Sequence, residues 1–201
     1  MNTPALTLRP YSTADEDAAI ELWRRSWQRH YPHLDFSARV DWWRERWRSE
    51  LVPAAAIVLA ETDEAPPHSP LIPAQAGIQS QKHNSENSAP GSPLEPVLGP
   101  AESRTRVRGR AGKALVGFVT VDPTTMYLDQ IVVAPEHWGS GVALALLDEA
   151  KRLSPKGIDL LVNKDNARAI RFYEKHGFVY AGEDKNPVSG KPVNRMSWRP
   201  V

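Results

Sequence analysis

The sequence contains no cysteine. This absence excludes a disulfide framework, a zinc–thiolate site and a thiol nucleophile. Long apolar runs are also missing, since a stretch such as residues 54–60 is far too short to cross a bilayer. Neither sign of charge is in excess, because 25 basic and 24 acidic residues leave a formal net charge of +1. We therefore expect no nucleic-acid partner and no membrane partner.

The start of the chain, Met1 to Pro4, lacks the basic and apolar regions of a secretion signal. We therefore expect a cytoplasmic protein. The 201 residues, of which 41% are hydrophobic, are enough for one domain with a full core. The sequence thus predicts a single domain over residues 1–201.

Residues 64–112 differ in composition from the rest of the chain. They hold eight prolines and no Phe, Trp or Tyr, and they are rich in Ser, Gln, Asn and Gly. Such a stretch cannot bury enough apolar surface to offset the entropy lost on ordering. We predict a disordered insertion between the second and third strands. The alternative is a tether for an acidic partner, because the stretch ends in a basic run over residues 104–110.

The remaining sequence has a continuous pattern of hydrophobic periodicity, which predicts an order of elements. That order is strand, two helices, three strands, helix, strand, helix and two strands. With the insertion removed, residues 55–61 and 114–121 would form a hairpin. The order predicts an α/β (α+β) domain of about six to seven strands and about four helices, built on a mixed sheet.

Residues 131–147 combine an apolar strand, a glycine-bearing turn and a helix rich in Ala and Leu. Pro135 ends the strand because it has no amide to continue a ladder. Gly139 and Gly141 allow a ligand close to the backbone, and the free amides of the first helical turn suit a pyrophosphate. An ordinary strand-to-helix turn remains the alternative. Leu144 departs from a Rossmann fingerprint, and no Gly-Lys-Ser/Thr of a P-loop occurs.

Residues 163–178 predict a capped amphipathic helix. Asn166 or Asp165 can cap its start, and Gly177 suits the position after its end. Helical spacing places Ala169, Phe172, Tyr173 and His176 on one face. On this pattern alone, a tyrosine at position 173 is more often a core residue than a catalytic one.

Taken together, the two stretches resemble the GCN5-related N-acetyltransferase (GNAT) superfamily. Trp138, Gly141 and Ala143 align with the family's Gln/Arg-x-x-Gly-x-Gly/Ala phosphate loop, from which Trp138 departs. Residues 166–178 match the family's Asn-x-x-Ala-x-x-Phe-Tyr-Glu-x-x-Gly-Phe. The resemblance is strong over residues 115–180, weak over residues 5–62 and absent over residues 64–112. It implies a mixed, mostly antiparallel sheet and transfer of an acetyl group from acetyl-CoA to an amine.

The resemblance also implies the residues of the site. Tyr173 would protonate the leaving thiolate, and the backbone amide of Val133 would bind the oxyanion. No metal is needed for direct attack by an amine. The residues implied in binding acetyl-CoA are Ile131, Val132, Val133, Trp138, Gly139, Ser140, Gly141, Val142, Ala143, Asn166, Ala169 and Tyr173.

The general base is sought on the strand that precedes the phosphate loop. Strict alternation would place Tyr127, Asp129, Ile131 and Val133 on one face. Asp129 is the only carboxylate among them and could act directly or through water. The alternative for Asp129 is a salt bridge at the surface.

The acceptor would bind among aromatic residues of the N-terminal helices. Trp27, Tyr31 and Trp42 are candidates to line its pocket, although a place in the core is the alternative for each. The acceptor would be the primary amine of a small molecule, a peptide or a protein N-terminus. The protein would be a monomer or a homodimer. Two other functions stay open, namely a non-catalytic acyl-CoA-binding regulatory module and an interaction protein that uses residues 64–112.

Overall fold

The computed structural model describes residues 5–63, 113–186 and 190–200. The predicted insertion over residues 64–112 lies outside these ranges. The described helices are α1 (Glu16–His30), α2 (Val40–Arg46), α3 (Val142–Leu153) and α4 (Ala167–Lys175). A π-helical turn (Trp47–Leu51) and a final turn (Val52–Ala54) extend α2. No helix in the described part of the chain is long and apolar enough to span a membrane.

Seven strands of the described chain form one sheet in the order β1-β2-β3-β4-β5-β7-β6. Every neighbouring pair is antiparallel except β4 and β5, which are parallel. The predicted fold class is therefore confirmed. The strands are β1 (Leu6–Pro10), β2 (Ala56–Thr62), β3 (Ala114–Asp122), β4 (Tyr127–Val133), β5 (Ile158–Asn163), β6 (Val179–Lys185) and β7 (Pro192–Trp198).

The predicted hairpin between β2 and β3 is also confirmed. Its antiparallel register runs from the pair Ala56–Val121 to the pair Thr62–Ala114. Thr62 and Ala114 are therefore cross-strand neighbours, although 51 residues separate them in the sequence. Residues 63 and 113, which follow on each side, form an ion pair of 3.5 Å between Asp63 and Lys113.

Helices cover both faces of the sheet, and each face carries one cluster of buried side chains. The larger cluster packs α3 and α4 on one face, through side chains such as Leu146, Leu147 and Tyr173. The second packs α1 and α2 on the other face, where the rings of Trp23 and Trp43 stack at 4.7 Å. This arrangement brings the end of α1 and the starts of α3 and α4 around the middle of the sheet.

Candidate active site

The central parallel strands β4 and β5 are paired at one end and separate toward the other. Tyr127 and Asp159 are partners in the ladder, and the amide of Asp159 donates to the carbonyl of Met126 at 2.8 Å. No later residue pair of these two fully described strands continues the ladder. A gap therefore opens in the sheet beside the C-terminal half of β4.

The backbone of Val133 faces this gap. The amide of Ala134 donates to the carbonyl of Val116 on β3 at 2.8 Å, so the polar groups of the preceding residue point away from β3. Consistent with this, the Val133 carbonyl accepts from the Ser26 hydroxyl at 3.0 Å and from Trp138 Nε1 at 2.9 Å. An amide and carbonyl of one strand residue point to the same side. The Val133 N–H is therefore directed into the gap, at a level where β5 is not paired with β4.

The turn between β4 and α3 presents free backbone amides. The first helical bond runs from Ala145 N to the Gly141 carbonyl at 3.0 Å, so the amides of residues 142–144 have no partner within the helix. Gly139 and Gly141 have φ values of +88° and +93°, which favour glycine. A Cβ atom at either position would meet nothing within 4 Å. The turn is thus open and polar, as an anion site at a helix N-terminus requires.

These elements enclose a groove of about 500 Å³. Ten of the twelve residues predicted to bind acetyl-CoA line it. Val142 and Ser140 do not: the Val142 side chain is buried in the core, and the Ser140 hydroxyl donates to the His137 carbonyl at 2.7 Å. The ten are Ile131, Val132, Val133, Trp138, Gly139, Gly141, Ala143, Asn166, Ala169 and Tyr173.

Tyr173 lies on α4 and lines the groove. Its side chain is 9% exposed and packs on Phe172 and Phe178, with ring centroids 5.4 and 5.3 Å away. Burial, with a smaller effect of the Tyr127 phenol, raises the pKa of Tyr173 well above its ordinary value. The hydroxyl makes no hydrogen bond to other described residues, so a proton is held there at neutral pH without a fixed acceptor.

Asn166 caps α4 through its side-chain oxygen. The amide of Ala169 donates to Asn166 Oδ1 at 3.1 Å, as the predicted cap requires. Gly177, with φ of +87°, follows the end of the same helix. Because the cap uses only the oxygen of Asn166, its NH₂ group stays available to a ligand in the groove.

Asp129 does not lie on the strand face that alternation predicts. The register between β3 and β4 shifts between the pairs Thr120–Gln130 and Val121–Leu128, which leaves Asp129 as the extra residue of a bulge. Leu128 therefore joins Ile131 and Val133 against the core of α3 and α4. The predicted shared face of Asp129, Ile131 and Val133 is wrong for this reason.

The bulge directs Asp129 toward α2. Both of its oxygens accept from Arg46, at 2.6 and 2.9 Å, and Oδ2 also accepts from Gln130 at 3.2 Å. The guanidinium lies over the Trp43 ring at 5.3 Å. A proton taken up by Asp129 would break this partly buried ion pair. The geometry therefore disfavours the predicted role of direct base.

The three aromatic residues predicted for the acceptor pocket lie in different surroundings. Trp27 lines the groove and stacks on the Tyr31 ring at a centroid distance of 5.9 Å. The Tyr31 hydroxyl accepts from Asn163 and donates to Asp165, each at 3.0 Å, and so ties α1 to the end of β5. Trp42 is 42% exposed on α2 and is not among the described residues that line the groove.

Several groove residues were not predicted from the sequence. Ser26 and His30 come from α1, one helical turn apart, and Arg168, Phe172 and Lys175 come from α4 at the same helical spacing. Spacing could have suggested them only once the facing helix was known. The lining also includes Leu144 and His176, and it contains no Asp or Glu among the described residues. In the described chain, no group of three or more His, Asp or Glu side chains is placed to hold a metal ion.

Comparison with known proteins gives two kinds of similarity. A family model described as the acetyltransferase (GNAT) family matches residues 81–178. The peptidyl-lysine N-acetyltransferase YjaB of Salmonella typhimurium is 34% identical over 77 residues, which are 38% of this chain and 51% of that protein. YjaB of Escherichia coli is 31% identical over 77 residues, which are 38% and 50% of the two chains. The chain thus spans about half the length of the curated relatives it matches.

Solved structures share the fold. The PaiA N-acetyltransferase of Thermoplasma acidophilum, crystallised in complex with coenzyme A, superposes with a TM-score of 0.60. The match covers 98% of this chain and 99% of that one, at 16% sequence identity. At this identity the likeness shows the fold alone.

Proposed function

We propose that the chain, which matches the model of the acetyltransferase (GNAT) family over residues 81–178, transfers an acetyl group from acetyl-CoA to a primary amine. The observation that carries this proposal is the position of the Val133 amide. It points into the gap between β4 and β5, and Val133, the open amide turn and Tyr173 all line the same groove. A thioester laid along this groove would meet a donor for its carbonyl oxygen and a proton source for its sulfur.

The residues of the groove suit acetyl-CoA at both ends. The free amides at the start of α3 match a pyrophosphate, and the groove lining brings no carboxylate to repel it. The diverging edge of β4 offers unpaired backbone groups to the amides of a pantetheine arm. Asn166 can add its NH₂ group near the same arm. When bound, acetyl-CoA supplies the activated acetyl group.

The reaction follows from these positions. As a neutral amine attacks the acetyl carbon, the Val133 N–H donates to the carbonyl oxygen and stabilises the charge that develops there. A carbon–nitrogen bond forms and the carbon–sulfur bond breaks, while Tyr173 donates its proton to the departing sulfur. Its raised pKa makes tyrosinate unfavourable. Tyr173 is therefore protonated again by the proton that the attacking nitrogen loses once the carbon–nitrogen bond has formed.

The first proton of the acceptor ammonium leaves through water in this proposal. In this proposal Asp129 has a positioning role, because its ion pair with Arg46 holds the bulge of β4 against α2. This positioning role differs from that of a base, because it needs both members of the pair.

A lysine side chain of a peptide or protein is the acceptor that the comparisons favour. Both curated relatives, each matched over 77 residues of this chain, are peptidyl-lysine N-acetyltransferases by name. An extended lysine side chain could reach the reacting carbon past Trp27, which lines the groove beside α1. Small-molecule amines remain the second class of acceptor in the proposal.

A second function, an acyl-CoA-binding module without turnover, is favoured by one observation. The only carboxylate predicted as a base is engaged by Arg46, so the described groove holds no carboxylate that could take the amine proton. Such a module would bind acetyl-CoA without releasing thiol in the presence of any amine.

The test is thiol release from acetyl-CoA and longer acyl-CoAs with a panel of lysine peptides, N-terminal peptides and polyamines. We expect release with lysine peptides and a mass increase of one acetyl group on the peptide. Gly141→Asp should abolish both, because it places a negative charge where the pyrophosphate would lie. Gly190→Asp is the matched control, since Gly190 also has a positive φ, +67°, and open space around it. Tight binding without thiol release from any acceptor would favour the regulatory module.

A further inference from the structure

The phosphate turn of this chain begins with a tryptophan, and a cation reaches that tryptophan from another helix. The guanidinium carbon of Arg168, on α4, lies 4.7 Å from the centroid of the Trp138 ring. Trp138 is itself fixed, because its Nε1 donates to the Val133 carbonyl at 2.9 Å. The two residues join the starts of α3 and α4 across the polar end of the groove.

Arg168 has no ion-pair partner among the described residues, which is unlike two arginines on the helices of the opposite sheet face. Arg25 on α1 pairs with Glu136 at 3.0 Å, and Arg46 pairs with Asp129 at 2.6 Å. The residues that line the groove include no carboxylate either. The positive charge of Arg168 is therefore uncompensated at the place where the free amides of α3 begin.

We propose that Arg168 binds the pyrophosphate of coenzyme A and that Trp138 positions it, a proposal that rests on the proposed function. An arginine stacked on an indole keeps the N–H groups at its edge free, and these match two phosphate oxygens. The charge that a motif arginine would supply from position 138 is thus supplied from α4. Trp138 contributes the surface that holds the guanidinium in place and does not contact the phosphate through a charge of its own.

The test is calorimetric binding of coenzyme A, dephospho-coenzyme A and pantetheine to Arg168→Gln. We expect a loss of about 10- to 100-fold for the first two ligands, the range of a hydrogen bond to a charged group, and no change for pantetheine. Arg171→Gln, an exposed arginine one turn further along α4, removes the same charge from the same helix. Its binding should stay within about twofold of the unchanged protein, as expected for a screened surface charge.

Three results would overturn the assignment. Unchanged coenzyme A affinity in Arg168→Gln would remove Arg168 from the site. An equal loss for pantetheine would mean that Arg168 supports the fold by holding α4 against the turn before α3, without contacting the phosphates. A loss with coenzyme A but not with dephospho-coenzyme A would assign Arg168 to the 3′-phosphate instead.

The role of Trp138 is tested by a double-mutant cycle. If the indole acts by holding Arg168, Trp138→Leu should weaken coenzyme A binding, and adding Arg168→Gln should weaken it little further. Additive losses would contradict this coupling. Wild-type protein that neither binds coenzyme A nor releases thiol would sink the proposed function together with this inference. Wild-type protein that binds and transfers, with Arg168→Gln equal to it, would refute the inference alone.

Discussion

Tyr127 on β4 pairs with Asp159 on β5, and beyond this pair the two parallel strands separate. Because the strands separate, no backbone carbonyl of β5 is paired with the Val133 amide, and its N–H stays free to donate to a ligand. The separation also leaves room for Tyr173 to reach the groove from α4. The position of one ladder pair thus determines which backbone and side-chain groups of the chain face the groove.

Tyr173→Phe should lower turnover by about 10²- to 10⁴-fold, the range typical of general acid catalysis. Affinity for acetyl-CoA should change little, because the ring keeps its packing on Phe172 and Phe178. Steady-state kinetics with an accepted amine, together with calorimetry, measures both quantities. Tyr180→Phe removes the hydroxyl of a tyrosine that is 59% exposed on β6, and it is the matched control.

Two results would speak against the role of Tyr173. Turnover equal to wild type in the Phe variant would leave water as the proton donor. A joint loss of affinity and thermal stability would mean that the hydroxyl supports the fold.

Asp129→Asn and Arg46→Met should have similar effects. Each leaves one partly buried member of the ion pair without its partner, which costs about 1–3 kcal/mol of unfolding free energy. The double variant should lose less than the sum of the single losses. Denaturant unfolding measures the cycle, and kinetics on each variant accompany it. If Asp129→Asn alone removed the acidic limb of the pH–rate profile, Asp129 would be the base and the water route would be wrong.

Low pH should destabilise the end of the sheet at β1. Both oxygens of Asp15 accept from Arg9 at 2.7 Å, and this interaction lowers the pKa of Asp15 to about 2. Since the unfolded value is about 3.9, the carboxylate stabilises the folded state above that pH. The stabilisation is lost as the pH falls from about 4 toward 2. Asp15→Asn should therefore flatten the pH dependence of stability in this window, while the exposed Asp148→Asn should not.

If Asp15→Asn and Asp148→Asn changed the pH dependence of stability equally, the ion pair with Arg9 would not account for it. Stability at each pH is measured by thermal unfolding.

Replacement of residues 64–112 by Asn-Gly should leave folding and coenzyme A binding intact. Thr62 and Ala114 are already cross-strand partners, so a two-residue turn between residues 63 and 113 can close the hairpin. Closure entropy depends weakly on loop length, so stability should be equal or slightly higher. Solubility, thermal unfolding and calorimetry on the shortened chain test this. Aggregation, or loss of coenzyme A binding, would place the segment within the folded domain.

Local signals were enough to predict the elements and much of the groove. Hydrophobic periodicity gave the order of strands and helices, and proline and glycine marked where β4 ends and where α4 stops. The free amides at the start of α3 could be predicted, because the first turn of any helix leaves its amides without an intrahelical partner. The pairing of β2 with β3 could be predicted because the intervening composition cannot form a core.

Contacts between distant elements could not be predicted. The bulge at Asp129 depends on how β4 pairs with β3. It turns the Asp129 carboxylate to the sheet face opposite to the one that strict alternation predicts. The stacking of Arg168 on Trp138 joins the start of α4 to the turn before α3, between residues 30 positions apart in the sequence. Neither has a periodic signal in the sequence, so each required the packed structure.

The most direct measurement is isotope-labelled acetyl transfer from acetyl-CoA to a lysine peptide, followed by mass spectrometry. With wild-type protein, we predict one labelled acetyl group on the lysine amine and an equal amount of free thiol. We also predict that Tyr173→Phe, at saturating acetyl-CoA, forms this product at least about 100-fold more slowly. Bound acetyl-CoA that is neither cleaved nor transferred to any amine tested would contradict the central claim of catalysis.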